Sequence, residues 1–360
     1  MKATATAEQI RDAARAIRAG RLVVFPTETV YGLGADARNA DAVARIFAAK
    51  GRPSDNPLIV HVRSIDEIDG VAEHLPSAAR RLFERFSPGP LTLVLPAHRA
   101  LPRTVTAGLD TVAVRIPRHR VAQALLAACR CPIAAPSANR SGEPSPTTLA
   151  MARASLWRAS ERRTGDEEIT FLEGGPCEVG LESTVASVSE GRIVILRPGF
   201  IAADELRLAV PDAEVLEAID AAAADRPSSP GLKHGHYRPR AAVIAHDNEG
   251  ESLESLLSRV FERERAAKVT VGVIGIGPVA GSIADAFAQR FTDSVVDSGV
   301  GPVPRVILRE AADERDYARE LYRWLVELDV EGAGLIVAVL PPDRGVGRAL
   351  RDRIARAAGA

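Results

Sequence analysis

Residues 50–61 (KGRPSDNPLIVH) place two fixed cations, an amide and an imidazole within one short segment. The cations, Lys50 and Arg52, stand at a Gly/Pro break, and the segment continues directly into an apolar run. Only four of the 46 basic residues are lysines, so Lys50 supplies a compact ammonium where this chain normally uses a planar guanidinium. A solvated, charged loop would explain a lone Lys-x-Arg pair. The glycine, prolines and amide around this pair favour an anion-binding turn.

Four further segments gather small hydrogen-bonding groups on loops at the ends of predicted strands, where functional groups usually lie. Taken singly, each has the Ser, Thr, Gly and Pro composition of an ordinary turn. Four of them together with the cationic turn predict a polar cleft of backbone donors, hydroxyls and basic side chains. Such a cleft suits an anionic ligand with several oxygens. The segments are 26–34 (PTETVYGLG), 135–147 (APSANRSGEPSPT), 174–185 (GGPCEVGLESTV) and 196–199 (LRPG).

Alternating strand and helix signals indicate which elements position these loops. Short apolar runs ended by turn residues predict strands, and longer stretches with caps and stop signals predict helices. Asp41 is expected to cap the second helix. The pattern predicts an α/β sheet packed on helices. The predicted strands are 22–25, 58–62, 91–95, 112–116 and 133–135, with a late hairpin of 183–187 and 192–196; the predicted helices are 8–19, 42–49, 77–86 and 119–128.

A chain of 360 residues is long for one hydrophobic core, so two domains are expected. Pro-rich and charged sequence over about 211–240 indicates a linker. A second α/β pattern begins at Ala242 and ends with a helix over 348–358. We therefore predict a first domain over 5–212, a linker over 213–241 and a smaller C-terminal domain over 242–360.

Composition excludes several classes of protein. Hydrophobic residues make up 46% of the chain and charged residues 26%, which is typical of a globular protein that is neither disordered nor membrane-spanning. The net charge of -1 gives no global reason to expect nucleic-acid binding. The first helix lacks the apolar core of a signal peptide, and no run of about 20 apolar residues could span a bilayer. Cys129, Cys131 and Cys177 are interpreted as free thiols in a reducing cytoplasm.

In order and spacing, the motifs resemble those of the YrdC/Sua5 family, the threonylcarbamoyl-AMP synthases. Residues 229–239 (SPGLKHGHYRP) resemble the linker signature of the two-domain Sua5 branch. The resemblance covers nearly the whole chain. It implies a YrdC-like twisted mixed sheet with flanking helices, joined by a linker to a smaller Rossmann-like α/β domain.

The resemblance also implies a reaction. L-Threonine, bicarbonate or CO2, and ATP would give threonylcarbamoyl-AMP and pyrophosphate, the donor for N6-threonylcarbamoyladenosine at position 37 of tRNA. This nucleotidyltransferase chemistry needs no protein nucleophile, since positioning and charge stabilisation around the phosphate suffice. Mg2+ is expected to arrive with the ATP phosphates. Downstream tRNA threonylcarbamoyl-transferase proteins are the implied partners, and weak direct RNA binding is left open.

The family's binding positions carry over to twelve residues of this chain. Arg115 is the natural partner of the threonine carboxylate, because a guanidinium can grip two oxygens. Tyr237 would fold back over the cleft as part of a lid in the linker. The resemblance assigns Lys50 and Arg52 to catalysis, Thr29, His61, Arg115 and Ser183 to L-threonine, and Arg52, Asn56, Thr111, Ser137, Ser145, Arg197 and Tyr237 to ATP.

Less specific explanations compete with these assignments. His61 alone would more often be a core histidine, and Arg115 alone could belong to a surface ion pair. A double-stranded RNA-binding module without catalysis is disfavoured by the net charge and by an aromatic content of 4%. An oxidoreductase built on 275–281 (GIGPVAG) is disfavoured because a proline interrupts the dinucleotide fingerprint. His234 and His236 have no carboxylate beside them, so no metal site is expected.

Overall fold

The computed structural model describes residues 4–160, 169–189, 191–217, 237–247, 250–263, 270–277 and 305–359. The chain divides into two units, Met1–His234 and Gly235–Ala360. This division falls inside the predicted linker, and residues 218–236 of that linker, with both of its histidines, lie outside the described part. None of the described helices is long and apolar enough to cross a membrane.

The first unit is built on a ten-stranded mixed sheet in the order β10-β9-β8-β4-β5-β3-β6-β2-β1-β7. Its strands are β1 Val23–Phe25, β2 Gly32–Asp36, β3 Ile59–His61, β4 Leu91–Pro96, β5 Thr111–Arg115, β6 Ile133–Ala134, β7 Thr170–Phe171, β8 Thr184–Ser189, β9 Arg192–Arg197 and β10 Glu214–Glu217. Its helices are α1 Ala7–Arg18, α2 Ala40–Lys50, α3 Ser77–Phe86, α4 Arg103–Thr106, α5 Arg120–Cys129, α6 Leu149–Ser160 and α7 Ala203–Ala209, with a 3-10 turn at Ile65–Gly70.

The second unit contains a four-stranded sheet in the order β11-β14-β12-β13. All three strand pairings are parallel. This confirms the predicted fold class, a large mixed sheet followed by a smaller α/β domain. Its elements are β11 Ala242–His246, α8 Leu253–Arg263, β12 Thr270–Ile276, β13 Arg305–Ala311, α9 Glu314–Val330, β14 Ala333–Val339 and α10 Val346–Ala358.

The ends of α2 fix the place of Lys50. The side chain of Asn39 accepts a hydrogen bond from the Ala42 amide at 3.0 Å and caps the helix. The predicted cap, Asp41, was wrong: it lies in the first turn, where its carboxylate faces the positive end of the helix dipole. Lys50 is the last helical residue, and Gly51 follows with a φ of 61°. This left-handed conformation ends the helix and turns the chain towards β3.

The two faces of the first sheet differ in what covers them. Side chains of a strand alternate between faces, so Val60 and Val114 point into the main core, where the helices pack. Ile59 and Ala113 point to the opposite face and join a small apolar cluster with Val94, Val185 and Leu196. This second face is termed the functional face.

Three strands of the first unit were not predicted from the sequence: β2, β7 and β10. Residues 32–34 were predicted as the end of a loop but form the first part of β2, whose glycines give no apolar alternation. A Cβ atom at Gly34 would lie 2.7 Å from the Ile133 side chain and 2.8 Å from Phe25, so only glycine fits. The strand β10 lies within the predicted linker but pairs in parallel with β9. The first unit therefore extends beyond the predicted boundary at residue 212.

Candidate active site

Three neighbouring strands bring polar side chains together at one end of the functional face. β5 lies between β3 and β4, and Arg115 is the last residue of β5. His61 stands opposite Arg115 in the parallel pair, and Thr92 stands opposite it in the antiparallel pair. Because His61 and Arg115 follow Ile59 and Ala113 by two residues, both point to the functional face. Pairing of strands thus joins residues that are far apart in sequence.

Arg115 is held in place from three sides. Its Nη1 donates to Thr29 Oγ1 at 2.8 Å, and its Nε donates to the Gly89 carbonyl at 3.4 Å. Its Nη2 lies 2.8 Å from Glu28 Oε1. The Arg115 side chain is only 4% exposed, so the pair it forms with Glu28 is buried rather than the surface ion pair considered from sequence.

His61 is a buried, uncharged imidazole. Burial, with a smaller effect of the Arg115 cation, lowers its pKa to about 3. Its ring meets Phe25 edge to face at a centroid distance of 5.9 Å. The Nδ1 atom has no hydrogen-bond partner among the described residues, which distinguishes His61 from a satisfied core histidine. A neutral ring nitrogen beside Arg115 can accept a hydrogen bond from a ligand.

Ser183 contacts both Arg197 and Thr92, the residue that stands opposite Arg115. The hydroxyls of Thr92 and Ser183 are 2.7 Å apart. Arg197 donates to the Ser183 carbonyl from Nη2 at 2.9 Å and from Nε at 3.2 Å. The register between β8 and β9 shifts next to Val185, the residue opposite Arg197. Such bulges often redirect a side chain near an active site.

Lys50 joins α2 to the loop that follows β6. Its Nζ donates to the backbone carbonyls of Ser137 and Asn139. Burial and the nearby Arg52 cation hold the pKa of Lys50 well below its usual value. An ammonium has three N–H donors, so two carbonyls leave it one further donor for a ligand. The structure thus brings Lys50, which was assigned to catalysis, next to Ser137, which was assigned to ATP.

Arg52 shapes the anion-binding turn proposed from sequence. Its Nε donates to the Asn56 carbonyl at 3.2 Å and its Nη2 donates to the Pro57 carbonyl at 3.0 Å. Asn56 is buried, with 1% exposure, although it lies in a polar loop. The 52–57 turn is therefore folded around the guanidinium of Arg52 instead of being a solvated loop.

The remaining nucleotide-site candidates occupy different surroundings. Ser145 is buried and donates to Glu182 Oε1 at 2.5 Å. Thr111 begins β5 opposite Pro96 and is partly exposed. It precedes Arg115 by four residues, so strand alternation places both side chains on the functional face.

Two family models together cover most of the chain. Residues 15–199 match a family described as "Telomere recombination", which groups Sua5, YciO and YrdC, and residues 201–359 match the "Threonylcarbamoyl-AMP synthase, C-terminal domain". The chain belongs to the threonylcarbamoyl-AMP synthase family. The family resemblance inferred from the motifs is therefore confirmed.

Relatives in this family match the chain over nearly its full length. The threonylcarbamoyl-AMP synthase of Pyrococcus abyssi is 38% identical over 98% of this chain and 94% of its own length. That of Bacillus subtilis is 39% identical, covering 98% and 93%. A crystal structure of P. abyssi Sua5 complexed with L-threonine superposes with a TM-score of 0.81 at 36% identity, covering 98% of this chain and 95% of that one.

Tyr237 is the one family-assigned residue that belongs to the second unit. Its ring is buried there, with its centroid 5.1 Å from that of Tyr322 and 5.7 Å from the Arg353 guanidinium. Most of the segment that leads to it lies outside the described residues. Its assignment to the nucleotide and to a lid stays a prediction.

Three residues at this candidate site were not singled out from sequence. Glu28 contacts Arg115, Asn139 accepts from Lys50, and Glu182 accepts from Ser145. All three lie inside the motifs that carried the family resemblance. A buried carboxylate must have a partner, and that requirement could have directed attention to Glu28 and Glu182.

Proposed function

We propose that this protein is an L-threonylcarbamoyladenylate synthase, a nucleotidyltransferase that uses L-threonine, bicarbonate or CO2, and ATP. The arrangement of Arg115, Thr29 and neutral His61 at the end of one sheet face carries the proposal. Arg115 and Thr29 would hold the carboxylate and hydroxyl of an amino acid, and Ser183 would complete that pocket. The family membership and the L-threonine complex of the P. abyssi relative support this assignment.

The reaction is a nucleophilic substitution at phosphorus. The neutral amine of threonine adds to CO2 and loses a proton, which gives a carbamate. A carbamate oxygen then attacks the α-phosphorus of ATP, the bond to the bridging oxygen breaks, and pyrophosphate leaves with the electron pair. Negative charge grows on the phosphate oxygens, so cations placed beforehand lower the barrier. Lys50, Arg52 and Arg197 are the cations proposed for this role.

Mg2+ would come with ATP rather than occupy a protein site. Within the described residues no group of three His, Cys, Asp or Glu side chains could hold a metal ion. The two buried carboxylates near the site are engaged, Glu28 with Arg115 and Glu182 with Ser145. This donor set fits an ion bound mainly by phosphate oxygens and water, as Mg2+ prefers. When bound, Mg2+ would neutralise charge on the leaving pyrophosphate.

The product defines the partners proposed for this protein. Threonylcarbamoyl-AMP is a mixed anhydride that would serve downstream tRNA threonylcarbamoyl-transferase proteins in forming N6-threonylcarbamoyladenosine at position 37. A cytoplasmic location and weak direct RNA binding remain predictions. The alternative of an RNA-binding module without catalysis is not favoured, because the full-length relatives are named as synthases.

Pyrophosphate release measured with substrates omitted one at a time tests the proposal. Release should require both L-threonine and bicarbonate, and a product with the mass of threonylcarbamoyl-AMP should accumulate in proportion. L-Serine should be a poorer substrate, since losing a methyl contact costs about 1 kcal/mol or more. Equal pyrophosphate release without threonine would reject the synthase and indicate simple ATP hydrolysis.

A further inference from the structure

Glu28 is a buried carboxylate that the proposed mechanism does not use. Its side chain is 1% exposed and lies in the loop of residues 26–31 between β1 and β2. Burial by itself would raise its pKa, but the Arg115 cation and the hydrogen bonds around it hold that pKa below the usual value. Glu28 is therefore an anion in the interior of the domain, where an unpaired charge would be strongly unfavourable.

The contacts of Glu28 connect three separate segments. Its Oε1 lies 2.8 Å from Arg115 Nη2 at the end of β5, and its Oε2 accepts from the Arg118 amide at 3.0 Å. Its backbone carbonyl accepts from the Val179 amide at 2.8 Å. One residue thus joins its own loop to the end of β5 and to the loop before β8. These segments carry Thr29, Arg115 and Ser183, three of the four residues assigned to L-threonine.

The two side-chain contacts require a carboxylate. Both oxygens of Glu28 face N–H groups, one on Arg115 and one on Arg118. Glutamine has one oxygen and one NH2 group, so either orientation would turn a donor towards a donor. Aspartate keeps both oxygens but is one methylene shorter, so it can reach only one of the two partners. The site is therefore sensitive to shape as well as to charge.

Arg115 needs such a partner in order to act on a ligand. Its other contacts are one hydroxyl and one long bond to a carbonyl, and neither balances its charge. A guanidinium binds a carboxylate well only when its plane is aligned with the two oxygens. Glu28 supplies the countercharge, and its short contact with Nη2 restricts where the guanidinium can lie. The Nη2 and Oε1 atoms meet as an ion pair without a well-aligned hydrogen bond, so Arg115 retains hydrogen-bonding capacity.

We infer that Glu28 is the positioning residue for L-threonine: it orients Arg115 for the substrate carboxylate and ties together the three segments of the threonine pocket. The inference rests on the proposed function for the identity of the ligand. Glu28 itself does not contact the reacting atoms. Its removal should weaken threonine binding while leaving the nucleotide side, organised by Lys50 and Arg52, unchanged.

Calorimetric titration of the full chain with L-threonine, and separately with ATP, measures this effect. Glu28→Gln should raise the dissociation constant for threonine at least roughly tenfold, because a buried charge partner is lost, and change that for ATP less than about twofold. Glu28→Asp should fall between Glu28→Gln and the wild type. Glu178→Gln is the matched control: it removes the same charge from an exposed carboxylate that pairs with the Arg118 guanidinium at 3.0 Å. It should bind threonine normally.

A double-mutant cycle shows whether Glu28 acts through Arg115. Adding Glu28→Gln to Arg115→Gln should weaken threonine binding by less than about twofold further, since the residue it positions is already absent. Full additivity of the two effects would overturn the inference. Equal loss of threonine and ATP binding would also overturn it, because that result marks a general folding role. Thermal unfolding of each variant identifies any that is not folded at the assay temperature, and Glu28→Asp then supplies the comparison.

The same measurements separate this inference from the proposed function. Binding requires no turnover, so a wild-type protein that binds threonine in a Glu28-dependent way but releases no pyrophosphate would reject only the synthase. Normal turnover by Glu28→Gln with an unchanged KM for threonine would reject only the positioning role. In the expected result, the KM for threonine rises much more than kcat falls.

Discussion

His61 and Arg115 lie directly opposite each other in the parallel strands β3 and β5, on the functional face of the sheet. The cation is compensated by Glu28, and the imidazole is uncharged because burial and Arg115 both disfavour its protonation. A neutral acceptor and a charged donor therefore stand side by side at the end of the site. This pairing suits an amino-acid ligand, whose carboxylate and polar side chain need different partners.

The buried state of His61 predicts how stability depends on pH. Its pKa is about 3 in the folded protein, against about 6.5 in the unfolded chain. Between these two pKa values the unfolded state binds more protons than the folded state. The contribution of His61 to the free energy of unfolding is therefore complete above about pH 6.5 and declines as the pH falls towards 3. From pH 7 to pH 5 the loss should be about 2 kcal/mol.

Urea unfolding of the wild type and His61→Gln at pH 7 and pH 5 measures this contribution. The fall in unfolding free energy should be smaller in the variant by about 2 kcal/mol. Other titrating groups, including His119, whose pKa burial also lowers, cancel in the comparison. The same pH dependence in both proteins would show that His61 is readily protonated in the fold.

Lys50 should not be replaceable by arginine. Its compact ammonium donates to two backbone carbonyls in a buried space, and a planar guanidinium cannot adopt that geometry. Both Lys50→Arg and Lys50→Ala should lower pyrophosphate release at least roughly thirtyfold, the effect of losing a buried charge contact of about 2 kcal/mol. Steady-state assays at saturating substrates would reveal it. Near-normal activity of Lys50→Arg would show that only the charge matters.

Arg52→Ala should lower activity about as much as the Lys50 substitutions do, but for a different structural reason. The Arg52 guanidinium holds the 52–57 turn through two carbonyls, so its removal frees the turn as well as removing a cation. We expect weaker ATP binding and a loss of turnover of at least roughly thirtyfold. Arg63→Ala, which removes an exposed arginine paired with Glu67, is the control and should remain active. Normal ATP affinity in Arg52→Ala would contradict the assigned role.

Gly199 limits how close β8 and the loop after β9 can approach. A Cβ atom there would lie 2.3 Å from the Thr184 amide nitrogen and 2.6 Å from the Ser183 carbonyl carbon, a backbone clash that no rotamer can relieve. Gly199→Ala should therefore destabilise the protein by about 1 to 3 kcal/mol. It should also weaken threonine binding, because the clash would displace Ser183. Gly70→Ala, whose Cβ meets nothing within 4 Å, is the control. Thermal unfolding and threonine titration measure both effects.

Two substitutions of Tyr237 can distinguish a role in packing from a role in ligand binding. Its ring is buried against Tyr322 and near the Arg353 guanidinium, so Tyr237→Ala should cost about 3 kcal/mol or more of stability. Tyr237→Phe keeps the ring and removes only the hydroxyl. If the hydroxyl serves the nucleotide, Tyr237→Phe should lose activity while unfolding at nearly the wild-type temperature. Full activity of Tyr237→Phe would assign the residue to packing alone.

Local sequence determined a large part of this protein. Helix α3 was predicted at its observed bounds, Ser77–Phe86, because start and stop signals lie within a few residues of the helix they define. The cationic turn and the four polar loops were recognised for the same reason, as each is a contiguous segment. Their order and spacing also determined the family, since a long series of motifs is a property of the chain and not of its folding.

Only the tertiary structure decided how these segments meet. Glu28 reaches the Arg118 amide across 90 positions, Lys50 reaches the Asn139 carbonyl across 89, and Ser145 reaches Glu182 across 37. No local pattern encodes such pairs, because they depend on strand order and register. The strand β2 was missed because its glycines are required by contacts with Phe25 and Ile133 and not by any alternation. Motif content was thus a local property, whereas the positions of His61, Arg115 and Glu28 relative to one another arose from pairing between distant strands and loops.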